Sequence, residues 1–149
     1  MHPTYARHWL IQGLPDGAKA ALYAIGDLVE VAVDDIVIEA DRPNGHLYLL
    51  LEGAFKVHLP ARGRRSSGRT LAHRGPGDLL GEYSFMDDFQ PMAGVSASTP
   101  GLMLRIDHDA LRELLDGDIA LGAVVYRNLL AYLVVRLRSQ DEEIACLMM

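Results

Sequence analysis

Residues 47–59, LYLLLEGAFKVHL, carry the strongest structural signal in the chain. Two apolar runs rich in strand-forming residues are separated by the turn residues Glu52 and Gly53. This pattern predicts two neighbouring antiparallel strands. Further short runs of the same kind lie at 28–33, 36–38, 95–98 and 102–106. Short strands at this spacing predict an antiparallel barrel or sandwich rather than the alternating strands and helices of a nucleotide-binding α/β fold.

Helical patterns flank the strand region on both sides. Residues 1–27 predict short helical pieces, including one over 16–25. Asp107 is suited to cap a helix over 110–115, and Asp118 is suited to cap a much longer helix towards the last residue. We expect one domain with an N-terminal helical segment at 1–27, a β-region at 28–107 and helices at 108–149.

The last helix carries an apolar stripe longer than a small domain needs. At about 1.5 Å per residue it could approach 45 Å. Positions spaced by four and three residues predict a coiled-coil dimer seam, interrupted only at Gln140. The seam consists of Tyr126, Leu130, Leu133, Leu137, Ile144 and Leu147. We therefore expect a homodimer, and the alternative is an amphipathic helix packed only on its own domain.

Composition narrows the classes of function. The 14 Lys and Arg against 20 Asp and Glu give a net charge of -6, unlike a domain that binds nucleic-acid phosphates. The N-terminus lacks the apolar segment of a secretory signal, and the most apolar stretch, 128–136, is too short to cross a bilayer. We expect a cytoplasmic protein without a nucleic-acid or membrane partner.

No catalytic or metal-binding pattern is present in the sequence. The 6 histidines are scattered, and the single cysteine, Cys146, can supply neither an internal disulfide nor a cysteine-rich metal site. Ser84 lacks the flanking glycines of an activated serine nucleophile. We therefore predict neither an enzyme nor a metal centre.

Several short segments, none of them specific alone, occur in a distinctive order. They are DIVI at 35–38, Asp41, HLYLLLEG at 46–53, GPGDLLGE at 75–82, LRID at 104–107 and LRELL at 111–115. Together they resemble the cyclic nucleotide-binding domain family, which includes catabolite-activator-type regulators and kinase regulatory subunits. Over about residues 28–137, the resemblance implies an α+β, mainly β fold. This fold is a double-stranded β-helix, a jelly-roll-like β-roll, flanked by N-terminal helices and a long C-terminal dimerisation helix.

The resemblance also implies a phosphate-binding cassette at 81–94, in which a short helix points backbone N–H groups at a cyclic phosphate. Gly81 matches the sharp turn beside the ligand, and Glu82 matches the carboxylate that accepts from the ribose 2′-hydroxyl. Ser84 matches the small residue beside the phosphate. The other candidate cassette residues are Tyr83, Pro91, Met92 and Ala93.

The family's phosphate-binding arginine has no counterpart at the matching position. Spacing from Gly81 places it at Pro91, or at Met92 if the loop is one residue longer. The whole segment from 75 to 104 contains no Lys or Arg and four carboxylates. A charge-assisted hydrogen bond to phosphate contributes about 1.5–3 kcal/mol, so its loss predicts weak nucleotide binding.

A substitute donor could come from the arginine-rich loop at 62–69. Arg64, Arg65 and Arg69 are the candidates, and the alternative is an ordinary solvated hairpin loop.

These features predict a non-catalytic sensor or regulatory module that signals through its C-terminal helix. Its ligand would be a cyclic nucleotide, bound weakly or through a relocated donor, or another small molecule. A cyclic nucleotide is the only cofactor that the sequence suggests. The alternative is a ligand-free protein-interaction or dimerisation domain that keeps the fold, in which case the partner is a protein.

Overall fold

The computed structural model describes residues 1–61 and 68–149, within which strands form two four-stranded antiparallel sheets. The sheets face each other as a β-roll, which confirms the predicted fold class. The strands are β1 (Gly26–Val31), β2 (Ile36–Ile38), β3 (His46–Glu52), β4 (Phe55–Leu59), β5 (Arg69–Arg74), β6 (Leu79–Leu80), β7 (Gly94–Ala97) and β8 (Gly101–Asp107). The first sheet has the order β1-β8-β3-β6 and the second has the order β2-β7-β4-β5.

Helices pack before, within and after the roll. They are α1 (Pro3–Ala6), a 3₁₀ helix (Trp9–Ile11), α2 (Asp16–Ala24), α3 (Glu82–Asp87), α4 (His108–Gly117) and α5 (Ile119–Leu147). Both predicted caps are confirmed: Asp107 accepts from the N–H groups of Asp109 and Ala110, and Asp118 accepts from that of Leu121. α4 begins two residues before the predicted 110 because Asp107 caps it directly.

The unbroken apolar run of β3 has a structural reason, because both faces of its sheet are covered. Leu47, Leu49 and Leu51 belong to a core that the sheet forms with the helices. Tyr48 and Leu50 point the other way, into a second core between the two sheets. The first sheet is therefore the wall between the helices and the interior of the roll.

α5 is anchored at its start and projects at its end. Leu121, Val125 and Leu129 lie in the helix-side core, and the Asn128 side chain donates to the carbonyls of Leu10 and Gln12 at 2.8 and 2.9 Å. From position 137 onward every residue of the helix is exposed.

By length and composition, α5 is long and apolar enough to cross a membrane, which the shorter stretch 128–136 did not suggest. Core helices of soluble proteins pass the same test. The first half of α5 packs against the rest of the domain, and 28% of its most apolar 18-residue window is buried.

Candidate functional site

The turn at Gly81 sets the geometry of the cassette. Its φ of +81° lies in the left-handed region that favours glycine. A Cβ at this position would collide with the carbonyl oxygen of His46 and lie 2.7 Å from the Nδ2 atom of Asn44. The predicted sharp turn is therefore present, and it directs the chain from β6 into the six-residue helix α3.

Glu82, the first residue of α3, is half-buried. Burial raises the pKa of its carboxyl, and the nearby positive charges of Arg74 and Arg136 partly oppose this rise. Among the described residues no side chain forms an ion pair with Glu82. The carboxylate is thus desolvated and available as an acceptor for a hydroxyl group.

Arg136 ties α5 to the turn that precedes the cassette. Its Nη2 donates to Asp78 at 2.7 Å and to the Tyr132 hydroxyl at 2.8 Å. The Tyr132 ring stacks on Trp9 with centroids 4.5 Å apart, and Trp9 in turn donates to the carbonyl of Gly77 at 2.6 Å. The N-terminal segment, α5 and the turn before Glu82 therefore form one polar and aromatic cluster.

Ser84 is buried, and its hydroxyl donates to the carbonyl of Phe89 at 3.1 Å. In this structure the hydroxyl holds the loop after α3. Tyr83 and Met92 are exposed, whereas Pro91 and Ala93 are half-buried. The predicted ligand-contacting residues therefore differ in exposure, from the buried Ser84 to Tyr83 and Met92 on the surface.

Arg112 of α4 clamps the C-terminal end of α3, a role that the sequence analysis did not identify. Its Nη2 donates to the carbonyl of Phe85 at 2.7 Å and to Asp88 at 2.9 Å. The guanidinium also lies over the Phe85 ring, 5.1 Å from its centroid. Nothing in the segment LRELL singles out this arginine, because its partners lie 24 and 27 residues earlier in the chain.

The phenyl ring of Phe85 extends the connection to both C-terminal helices. It is buried and lies 5.3 Å from the His108 ring of α4 and 6.4 Å from the Tyr126 ring of α5, between centroids. A displacement of α3 would therefore disturb the packing of α4 and α5 directly.

Of the proposed substitute donors, Arg64 and Arg65 lie outside the described residues. Arg69 begins β5, is exposed, and lines an open cleft of about 340 Å³ with Lys56, His58 and Thr70. Lys56 alternates along β4 with Phe55, which points into the core between the sheets, so this cleft lies on the outer face of the sheet.

Across the described ranges, no group of three or more His, Cys, Asp and Glu side chains is arranged to hold a metal ion.

Comparisons with known proteins agree with this architecture. The family model described as "Cyclic nucleotide-binding domain" matches residues 28–118. The chain is 28% identical over 145 residues to a CRP-like cAMP-activated global transcriptional regulator of Mycobacterium tuberculosis, covering 97% of this chain and 62% of that protein. It is 31% identical over 99 residues to the Pycsar effector protein BcPycTIR of Burkholderia cepacia, covering 66% of this chain and 30% of that one.

Solved structures show the same fold. A cyclic nucleotide-binding domain from Methylobacillus flagellatus superposes with a TM-score of 0.83 at 25% identity, covering 95% of this chain and 79% of that one. The catabolite activator protein of Thermus thermophilus superposes with a TM-score of 0.78 at 25% identity, covering 94% and 63%. Of the two curated relatives, the matched region spans 62% of the Mycobacterium protein and 30% of the Burkholderia protein, which is less than two thirds of each.

Proposed function

The chain belongs to the cyclic nucleotide-binding domain family, and from this premise we propose that it is a non-catalytic sensor whose cassette binds a cyclic nucleotide. cAMP is the first ligand to test, because a relative is described as cAMP-activated. Glu82 is the observation that carries the proposal. Burial raises the pKa of Glu82 even though a backbone hydrogen bond and the charges of Arg74 and Arg136 favour its ionised form, so a ribose hydroxyl that donates to the carboxylate would stabilise it further.

The signal would leave the cassette through contacts already present. Arg112 holds the end of α3 on α4, and Phe85 contacts rings of both α4 and α5. A ligand that prefers one orientation of α3 would shift these contacts in proportion to its preference. The output element would be α5, as predicted from the sequence.

Titration calorimetry with cAMP and 2′-deoxy-cAMP tests the role of Glu82. We expect wild-type protein to bind cAMP, and Glu82→Gln to bind it up to about tenfold more weakly, because the hydroxyl then donates to a neutral amide oxygen instead of a charged carboxylate. The 2′-deoxy ligand should bind wild type more weakly than cAMP does, and this difference between the two ligands should be smaller for Glu82→Gln. Asp87→Asn, at the exposed end of α3, is the matched control and should leave affinity unchanged.

No binding heat and no thermal stabilisation of wild-type protein at millimolar cAMP, cGMP or cyclic dinucleotide would refute the sensor proposal. The ligand-free interaction domain would then be favoured. That alternative has its own structural support, since the cassette exposes a set of large apolar side chains. They are Tyr83, Met86, Phe89 and Met92, between 54% and 76% exposed.

We also propose that the chain forms a homodimer through α5. Leu130, Leu137, Ile144 and Leu147 are all more than half exposed on the predicted seam, whereas Tyr126 and Leu133 are partly covered by their own domain. Burying such a stripe against a second copy is the usual solution for an apolar helix face.

Sedimentation equilibrium tests the dimer. We expect wild-type protein to be dimeric and Leu137→Asp, which places a charge on the seam, to be monomeric. The control Ser139→Asp should remain dimeric, because position 139 lies off the seam. A monomeric wild type, or a dimeric Leu137→Asp, would count against this interface.

A further inference from the structure

Strand β5 brings an arginine to the inner side of the roll. Arg74 is paired in register with Phe55, and directly opposed residues of antiparallel strands point to the same face. Phe55 is fully buried in the core between the sheets, so Arg74 lies on the inward face and is half-buried. Its neighbour His73 is paired with Lys56 and lies on the opposite, outer face.

Arg74 also lies near the cassette carboxylate. Its charge lowers the pKa of Glu82 against the effect of burial, although the two groups are not in direct contact. Within the described part of the chain, the Arg74 guanidinium donates one hydrogen bond, from Nη1 to the carbonyl of His73 at 2.9 Å. A guanidinium carries five N–H donors, so most of this one is free to bind a ligand.

The other described arginines near the cassette are already engaged. Arg136 is paired with Asp78 at 2.7 Å, and Arg112 is paired with Asp88 at 2.9 Å. Arg69 lies at the other end of β5, where it is exposed and lines an open cleft with Lys56 and His58. Arg74 is thus the cation that combines an inward position, proximity to Glu82 and unused donors.

We propose that Arg74 supplies the phosphate contact for which the cassette has no cation. This inference rests on the proposed function. The guanidinium would receive the cyclic phosphate from the β5 wall while the ribose hydroxyl donates to Glu82. Arginine suits this task because its planar fork can give two parallel hydrogen bonds to a phosphate. The donor has thus moved from the cassette to the strand that immediately precedes its acidic segment at 75–104.

The test compares cAMP with adenosine, which has the same base and ribose hydroxyls but no phosphate. We expect Arg74→Gln to weaken cAMP binding by about 10- to 100-fold and to leave adenosine binding within about twofold of wild type. Lys56→Gln, which removes a cation from the outer face of the neighbouring strand β4, is the matched control and should not change cAMP affinity. Adding Met92→Arg to Arg74→Gln should restore part of the lost affinity by returning a cation to the cassette.

The outcomes separate the two proposals. If wild type binds cAMP and Arg74→Gln binds it equally well, the assignment of Arg74 is wrong while the sensor function stands. If Arg74→Gln loses cAMP and adenosine to the same extent, Arg74 contacts the nucleoside and the phosphate assignment is again overturned. If wild type binds no cyclic nucleotide, the proposed function fails and this assignment fails with it. A thermal unfolding scan of Arg74→Gln guards against misfolding, and we expect its midpoint to match that of Lys56→Gln.

Discussion

Replacing Arg112 with alanine would remove the clamp between α4 and the cassette. The guanidinium makes three polar contacts, with the carbonyl of Phe85 at 2.7 Å, with Asp88 at 2.9 Å and with Asp109 at 3.1 Å. These contacts differ in value because their partners differ in exposure. The Asp88 and Asp109 side chains are 79% and 93% exposed, whereas Phe85 is buried.

The carbonyl of Phe85 therefore dominates the expected loss. A hydrogen bond from a charged donor contributes about 1.5–3 kcal/mol, and exposed ion pairs contribute about 0–1 kcal/mol each. Contact of the guanidinium with the Phe85 ring adds about 0.5–1 kcal/mol. We expect Arg112→Ala to lose about 2–3 kcal/mol of unfolding free energy, near the low end of the combined contributions, because both carboxylates are strongly exposed and the Arg112 side chain is itself 32% exposed. For a chain of this size that corresponds to a fall in Tm of roughly 4–12 °C.

Thermal unfolding at one fixed protein concentration measures this loss without interference from subunit association. Arg42→Ala is the matched control, since Arg42 forms an ion pair at 3.5 Å with Glu39 in which both side chains are more than half exposed. We expect the control to change Tm by no more than about 2 °C, in keeping with exposed ion pairs. Equal Tm values for Arg112→Ala and Arg42→Ala would refute the reasoning that the clamp stabilises the cassette. If the clamp also keeps α3 in its binding-competent position, the apparent cAMP affinity of Arg112→Ala should fall in proportion to the share of molecules that remain competent.

Two further predictions concern backbone conformation and pH. Gly81→Ala should lose at least about 2 kcal/mol of stability, because the strain of the left-handed φ and the collision with the carbonyl of His46 add together. The control Gly17→Ala, which has open space around the new Cβ, should stabilise α2 by about 0.5–1 kcal/mol. Urea midpoints that shifted in the same direction in both variants would contradict this expectation. Burial lowers the pKa of His8 to about 4, below the ordinary value near 6.5. The folded protein therefore keeps its full stability above pH 6.5 and loses roughly 3 kcal/mol of unfolding free energy as the pH falls towards 4, because the unfolded chain binds the proton more readily. His8→Asn keeps a cap acceptor for the N–H of Leu10 but does not titrate, so urea midpoints across this range should depend less on pH than in wild type, and identical pH slopes would exclude His8 as the cause.

Local sequence signals predicted the elements whose determinants lie within a few residues. Asp107 and Asp118 act as caps because their side chains accept from N–H groups two or three residues further along the chain, so their identity alone was informative. The sharp turn at Gly81 was predicted from the family resemblance, and the structure adds a reason for glycine that lies far away in the sequence, because a Cβ would collide with the carbonyl of His46. The runs that form β3 and β4 were visible because strongly apolar strands are buried in any arrangement.

Two strands escaped the sequence analysis for physical reasons. β5, RTLAHR, is the edge strand of its sheet and mixes polar with apolar residues, so its pattern resembles that of a loop. β6 consists of only two residues and is a strand solely because Tyr48 and Leu49 of β3 pair with it. Neither could be recognised without the partner strand.

The sequence by itself determined the class of fold, because the alternation of apolar runs and turn residues can be seen in the order of the residues. It also shows a segment without Lys or Arg at 75–104, to which the family resemblance assigns the predicted cassette. Only the tertiary structure decided which cations lie near Glu82 and which residue holds α3 in place. Arg74 lies on the inner face because of the register between β4 and β5, and Arg112 meets Phe85 because two segments 27 residues apart pack together. Such contacts depend on how distant parts of the chain pair, and a local pattern carries no record of that pairing.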